Sequence, residues 1–245
     1  MYHGMLLSLE RRAVKGMTFS ANYTLSHCIG PYADINSNGP PADETFTRPN
    51  DRDFDHGNCI ADRRQLFNLS SVWQTPRFAN STVSMLASNW RVSGIYRFSS
   101  GQPLNVTNGT DRALNGTTLQ RPDQILANPY KDNSGGPNTQ WLDPTAFQLQ
   151  PLGTFGNVAY NAFIGPRTWS FDMALSRSFN LREMQRLEVR AEAFNVTNSF
   201  RPGCAQGVTG CPAGGINATL NSNVFGQVRN ALEPRIMQFA LKYVF

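Results

Sequence analysis

The chain has 245 residues, enough for one domain, with 16% charged residues and 11% aromatics. So many aromatics among so few charges exclude a disordered chain. The net charge of +5 has no basic run longer than Arg11 to Lys15, which excludes a concentrated nucleic-acid patch.

Segment 3–13 carries a weak alternation of apolar and polar residues. In segment 17–26, Met17, Phe19, Ala21, Tyr23 and Leu25 alternate with Thr18, Ser20, Asn22, Thr24 and Ser26. Segment 63–75 alternates weakly again. In segment 90–98, Trp90, Val92, Gly94, Tyr96 and Phe98 share one parity; in segment 168–179, Trp169, Phe171, Met173, Leu175 and Phe179 do. A period of two means a strand with one greasy face, because successive side chains leave a strand on opposite sides.

Segment 186–196 is ambiguous. Leu181, Met184, Leu187, Ala191 and Phe194 would make a helical stripe among helix formers. Leu187, Val189, Ala191 and Ala193 also alternate with Glu188, Arg190 and Glu192. The strand reading is preferred because both sequence neighbours are strong strands that need a partner. The last segment, 235–245, puts Met237, Phe239, Leu241, Tyr243 and Phe245 on one parity. The expectation is seven strands.

The connections alternate in length. Those near Val14–Gly16, Pro76–Thr82 and Leu181–Gln185 are short. Those over about 29–62, 104–166 and 198–233 are long and rich in Asn, Gly, Pro and Asp. Compact soluble domains seldom carry three such loops. Short turns at one end and long loops at the other is the pattern of outer-membrane barrels. Trp73, Trp90, Phe98, Trp169, Phe179, Tyr243 and Phe245 fall near strand ends, as interfacial girdles do. No run of 18 apolar residues provides a membrane helix. Leu6 and Leu7 are followed at once by Ser8, Glu10 and Arg11, so residues 1–15 make no signal peptide. An export signal is therefore expected on sequence outside residues 1–245.

Several segments carry a more specific likeness. They are Phe54-Asp55 through Asp62-Arg63-Arg64, then Asn89-Trp90-Arg91-Val92-Ser93-Gly94 with Gly101-Gln102-Pro103-Leu104. Next come Trp141-Leu142-Asp143-Pro144 with Ala146-Phe147, Gly153 through Asn157, and Gly165-Pro166. Last are Glu192 through Asn195 with Asn198, and the final strand. In this order and spacing the chain resembles the C-terminal barrel of a TonB-dependent receptor of the Oar-like group, which often carries a carboxypeptidase-regulatory-like domain. The alternation Phe239, Leu241, Tyr243, Phe245 resembles the signal read by barrel-assembly machinery.

The resemblance implies that residues 1–245 are the last third of a barrel of roughly 22 strands. It implies an outer-membrane location and energy-coupled uptake of a large extracellular ligand. Plug, TonB box and N-terminal domain have no counterpart in this sequence, so TonB would be reached only through the missing plug. The expected fold class is all-β: an antiparallel transmembrane barrel segment of about seven strands. With seven, the first and last strands point the same way, so an open curved sheet with long extracellular loops is expected.

Candidate sites follow from the loops. Trp141, Phe155, Tyr160 and Phe163 offer aromatic surface to a ligand, against the alternative of loop–loop packing. Asp34, Asn36 and Asn38 match half of a calcium loop whose closing Glu is absent; a solvated acidic loop is the simpler reading. Asp51, Asp53, Asp55 and His56 lie close by in sequence. Cys28–Cys59 and Cys204–Cys211 are expected as disulfides, each stapling one loop. No hydrolase or phosphate-loop motif occurs, so neither catalysis nor a cofactor is expected. The rival fold is a secreted soluble β-sandwich that binds carbohydrate, which would need a second sheet over the greasy face. A small autonomous porin or adhesin would need its own signal peptide and an even number of strands.

Overall fold

The computed structural model describes residues 1–14, 16–30, 47–48, 50–76, 78–117, 119–132, 134–182, 185–203 and 213–245. In chain order the strands are β1 (Tyr2–Val14), β2 (Met17–Gly30), β3 (Gly57–Asn58), β4 (Gln65–Gln74) and β5 (Trp90–Ser99). Then come β6 (Pro103–Leu104), β7 (Asp123–Gln124), β8 (Phe147–Gln148) and β9 (Phe163–Ile164). The last three are β10 (Thr168–Arg182), β11 (Gln185–Phe194) and β12 (Ile236–Val244). One short helix, α1 (Ser81–Ala87), lies between β4 and β5.

The main sheet has the order β1-β2-β4-β5-β10-β11-β12, with β3 pairing off β2. Every pairing along it is antiparallel. The seven long strands match the alternating segments, including the one with helix-forming residues. Charged Glu188, Arg190 and Glu192 take alternate positions on β11, which leaves Leu187, Val189, Ala191 and Ala193 on the greasy side. Cross-strand pairing therefore overrides local propensity there. The sheet is open: β1 and β12 are its edges, and the described strands include none that joins them.

Register defines the two faces. Leu7, Tyr23, Phe67, Phe98 and Trp169 lie in one cross-strand row. Trp73, Val92, Leu175, Ala191 and Phe239 lie in another on the same side. The opposite side carries Ser8, Asn22, Asn68, Arg97 and Ser170 in one row. No second layer covers the apolar face among the described residues: Phe239 is 75% and Leu241 71% exposed, and Leu7, Leu9, Trp73 and Val189 are exposed too. A soluble sandwich buries its large side chains between two sheets, so the sandwich alternative fails.

The buried apolar cluster lies in the loops instead. It comprises Leu104, Val106, Trp141, Leu142, Ala146, Phe147, Val158, Phe163, Ile216, Phe225 and Val228, none of them in the long strands. The described parts of the long segments beyond the sheet thus fold as a packed dome at one end, the loop end.

The other end, the turn end, holds the tight connections. Gly16 has φ +75, and a Cβ there would lie 2.5 Å from the Gln74 carbonyl oxygen, so only glycine fits this turn. The connection expected to be tight around Pro76–Thr82 is longer and contains α1. Asn80 caps it by accepting bonds from the Thr82 and Val83 amides. Its exit is the left-handed Asn89, φ 64, immediately before Trp90.

Candidate functional site

Two surfaces can carry function: the polar face of the sheet and the loop dome. On the polar face Arg97 pairs with Asp172 at 2.6 Å, and Asp172 also accepts the Asn195 amide at 2.8 Å. Arg190 pairs with Glu192, which accepts a bond from the Gln238 amide at 3.0 Å. Glu188 and Lys242 stand directly opposite each other in register. Near the turn end a concavity of about 470 Å³ is lined by Gln74, Arg91, Ser176, Ser178, Arg186 and Glu188, among others. The face alternates charge sign and is accessible to water, as the inner wall of a barrel is.

The dome is knit from three segments. Between the first and second, the Arg121 guanidinium meets the Asp55 carboxylate at 2.5 Å, with both side chains 1% exposed. Arg121 also donates to the carbonyls of Val158 (2.8 Å) and Phe54 (2.6 Å), and its cation lies 4.2 Å from the Phe54 ring centre. Asp55 accepts the Thr47 amide as well, at 2.5 Å. Every strong donor and acceptor of the pair is thereby answered, as a buried ion pair requires. Asn58 and Asn161 exchange amide bonds with each other's carbonyls at 3.0 and 2.7 Å.

Between the second and third segments, Trp141 donates its amide to Gly226 at 2.8 Å, and Val228 donates to Thr139 at 3.0 Å. Phe147 sits between Phe163 and Phe225, edge-on to both, at 5.3 and 5.4 Å between ring centres. Gly101 closes against Gly165 so tightly that a Cβ would lie 1.7 Å from the Gly165 oxygen.

The loop motifs acquire physical reasons here. Asp143 caps a 3-10 turn at Pro144–Ala146 through the Thr145 amide, and the Thr145 hydroxyl holds its carboxyl below the usual range. Asp111 is lowered likewise, first by the Gly116 amide. Arg63 donates to the Gln102 side chain at 2.7 Å, and burial pulls its guanidinium down. Burial raises the Tyr130 phenol, although it accepts the Ile164 amide at 2.9 Å. Asn195 turns the chain after β11 at φ 51, bonding Ser199 in both directions at 3.0 Å.

The proposed ligand aromatics are redistributed. Trp141, Tyr160 and Phe163 are buried, so they offer no ligand surface; Trp141 spends its indole N–H on the Ile164 carbonyl at 2.9 Å. Loop–loop packing is their role. Phe155 is half-buried beside Phe54, 5.8 Å between ring centres, and under the Arg48 guanidinium. Asp34, Asn36, Asn38, Cys204 and Cys211 lie outside the described residues. Nearby, Asp55 is consumed by Arg121, and Asp51 by Arg48 and the Phe54 amide, while His56 is exposed. Among the described residues no cluster of metal-binding side chains forms. Cys28 and Cys59 are joined by a disulfide, Cα–Cα 5.3 Å, at the base of the first loop. Phe239, Leu241, Tyr243 and Phe245 are all exposed, the first three along the edge strand β12.

Sequence reasoning missed Arg121 and α1. Arg121 is 66 residues from its carboxylate partner, and nothing local marks the pairing. For α1 a signal existed, since Asn80-Ser81-Thr82 is a helix-capping sequence.

A family model described as an outer membrane beta barrel domain matches residues 1–238. No curated protein and no solved structure matches the chain significantly.

Proposed function

Given that the chain belongs to the outer-membrane β-barrel domain family and so resides in the cell outer membrane, we propose that it is part of the barrel wall of a TonB-dependent receptor of the Oar-like group. In this reading the apolar face meets lipid, the polar face lines the lumen, and the dome stands on the extracellular side. The assembled receptor takes up a large ligand at the expense of energy delivered through TonB. In this reading that step belongs to the whole assembly, with its plug and coupling segment, and the chain supplies a stretch of its wall. The barrel-assembly machinery would read the row ending in Phe245. No catalysis is part of the reading.

The observation that carries it is the open sheet with parallel-running edges. Seven antiparallel strands leave β1 and β12 unpaired and pointing the same way. In hydrocarbon unpaired backbone groups are too costly to persist. The sheet therefore needs further strands, and a large receptor barrel supplies them. The motif order in the loops supports the receptor group.

An antibody against the dome, applied to outer membranes of the source cell, tests this. A reactive band several times heavier than 27.2 kDa that crosslinks to TonB is expected. A band at the mass of the chain alone, uncoupled from TonB, would overturn the receptor reading while leaving the barrel family intact.

A further inference from the structure

The connection between β4 and β5 is built inside out. Residues 78–90, Phe-Ala-Asn-Ser-Thr-Val-Ser-Met-Leu-Ala-Ser-Asn-Trp, carry no charge. Within it the small polar residues at the exit of α1 turn inward: the C-cap Ser88 is buried, its hydroxyl 3.2 Å from that of half-buried Ser84 and accepting the Phe78 amide. Its large apolar residues point out. Met85 is 67% and Leu86 62% exposed, and Val83 and Phe78 are exposed beside them. A helix facing water has the opposite distribution.

Two side chains of the apolar face hold α1 in place. The Trp90 indole donates to the Leu86 carbonyl at 2.8 Å. Arg177 donates to the Met85 carbonyl, in the last turn of α1, where the helix carries partial negative charge. Its cation lies 5.0 Å from the Trp90 ring centre and 4.6 Å from that of Phe179. Arg177 belongs to the lipid-facing rows, opposite Trp90 and Val189. A charge is expensive on that face near the bilayer centre and cheap near its edge. Here the charge is spent on the helix end and on two rings of the aromatic belt.

We propose that α1 is an interfacial helix that seats the turn-end rim of the sheet in the periplasmic phospholipid leaflet of the outer membrane. The inference rests on the membrane placement of the sheet and does not depend on the receptor reading. Phospholipid is the occupant because α1 is fastened to Trp90 and Arg177, which stand opposite each other on the lipid-facing side, and the same side carries exposed Trp73 and Phe179. A seven-residue helix is about 10 Å long and can lie flat at the boundary between headgroups and acyl chains.

The test places a polarity-sensitive fluorophore on Met85→Cys, with Cys204 and Cys211 as serine, in the complete barrel that contains this chain. That barrel is reconstituted in vesicles of phosphatidylethanolamine and phosphatidylglycerol. A second label, on Met173→Cys in the middle of β10 and four residues from Arg177 toward the loop end, reports whether the sheet itself is in the bilayer. The label at position 85 should be quenched about twofold more by a nitroxide at headgroup depth than by one deep in the acyl chains, and not by aqueous iodide. The label at 173 should show the reverse depth order. Iodide quenching at 85 with lipid quenching at 173 would put α1 in water and overturn the proposal. Silence of both quenchers at 85 would mean a protein covers it, with the same consequence. Absence of lipid quenching at 173 would remove the membrane placement and the proposal together.

Discussion

Replacing Asp55 with Asn takes one charge from a pair that is 1% exposed on both sides. Arg121 is then left buried with no anion, a situation that costs about 3–5 kcal/mol. Arg121 and the Thr47 amide use the two separate oxygens of Asp55, and Asn keeps one acceptor oxygen, enough for Arg121 alone, so about 3 kcal/mol is the minimum loss. At about 1.4 kcal/mol per tenfold, the locally opened dome should become roughly 10²-fold more populated. Arg121→Met should cost more, because it also strands the carbonyls of Val158 and Phe54. Replacing both by apolar residues, Asp55→Leu with Arg121→Met, should recover much of the loss. Hydrogen exchange of the Asn108 and Val158 amides, both bonded within the dome, reads the opening. Exchange within tenfold of wild type in Asp55→Asn would refute the reasoning. So would a double variant whose loss equals the sum of the two single losses, since that would mean the groups are not coupled.

Other outcomes follow from other parts of the molecule. Reducing the Cys28–Cys59 disulfide, which spans 31 residues, should loosen the first loop by about 3–4 kcal/mol on the loop-entropy model; trypsin cleavage after Arg48 or Arg52 should then accelerate sharply. Met173→Arg puts a cation mid-strand on the lipid face and should cost about 2–4 kcal/mol, read as loss of the folded form in outer membranes, whereas Lys242→Gln on the polar face should be near neutral. Asp111 and Asp143 are held below their ordinary range, so their contribution is full above about pH 4 and is lost as pH falls through the depressed values. Exchange at the Gly116 and Thr145 amides should therefore rise only in that acid window, and Asp111→Asn should remove the dependence at Gly116.

The sheet was legible because its two faces meet different media. Once Met237, Phe239, Leu241 and Tyr243 all take the same parity, little but a half-greasy strand accommodates them. Even Gln185–Phe194 was recoverable, though its residues favour a helix, because its neighbours demanded a partner. The open edges followed from an odd count of strands. The dome was not legible to the same degree. Its loops have no period, so nothing in the sequence separates a buried aromatic such as Phe163 from an exposed one. Trp141, Tyr160 and Phe163 fit ligand contact and loop–loop packing equally well by sequence, and their burial shows the packing. Phe155, from the same set, stays half-buried, and only three-dimensional packing distinguishes it. The Asp55–Arg121 bond is likewise a property of loop crossing, not of spacing.

The shared direction of β1 and β12 has an arithmetical consequence. Two copies of this chain inserted with the same polarity would meet at seams where neighbouring strands run alike. Doubling the molecule therefore does not close it in the antiparallel manner of bacterial barrels. Whatever completes the cylinder must contribute an odd number of crossings, with an ascending strand at each junction.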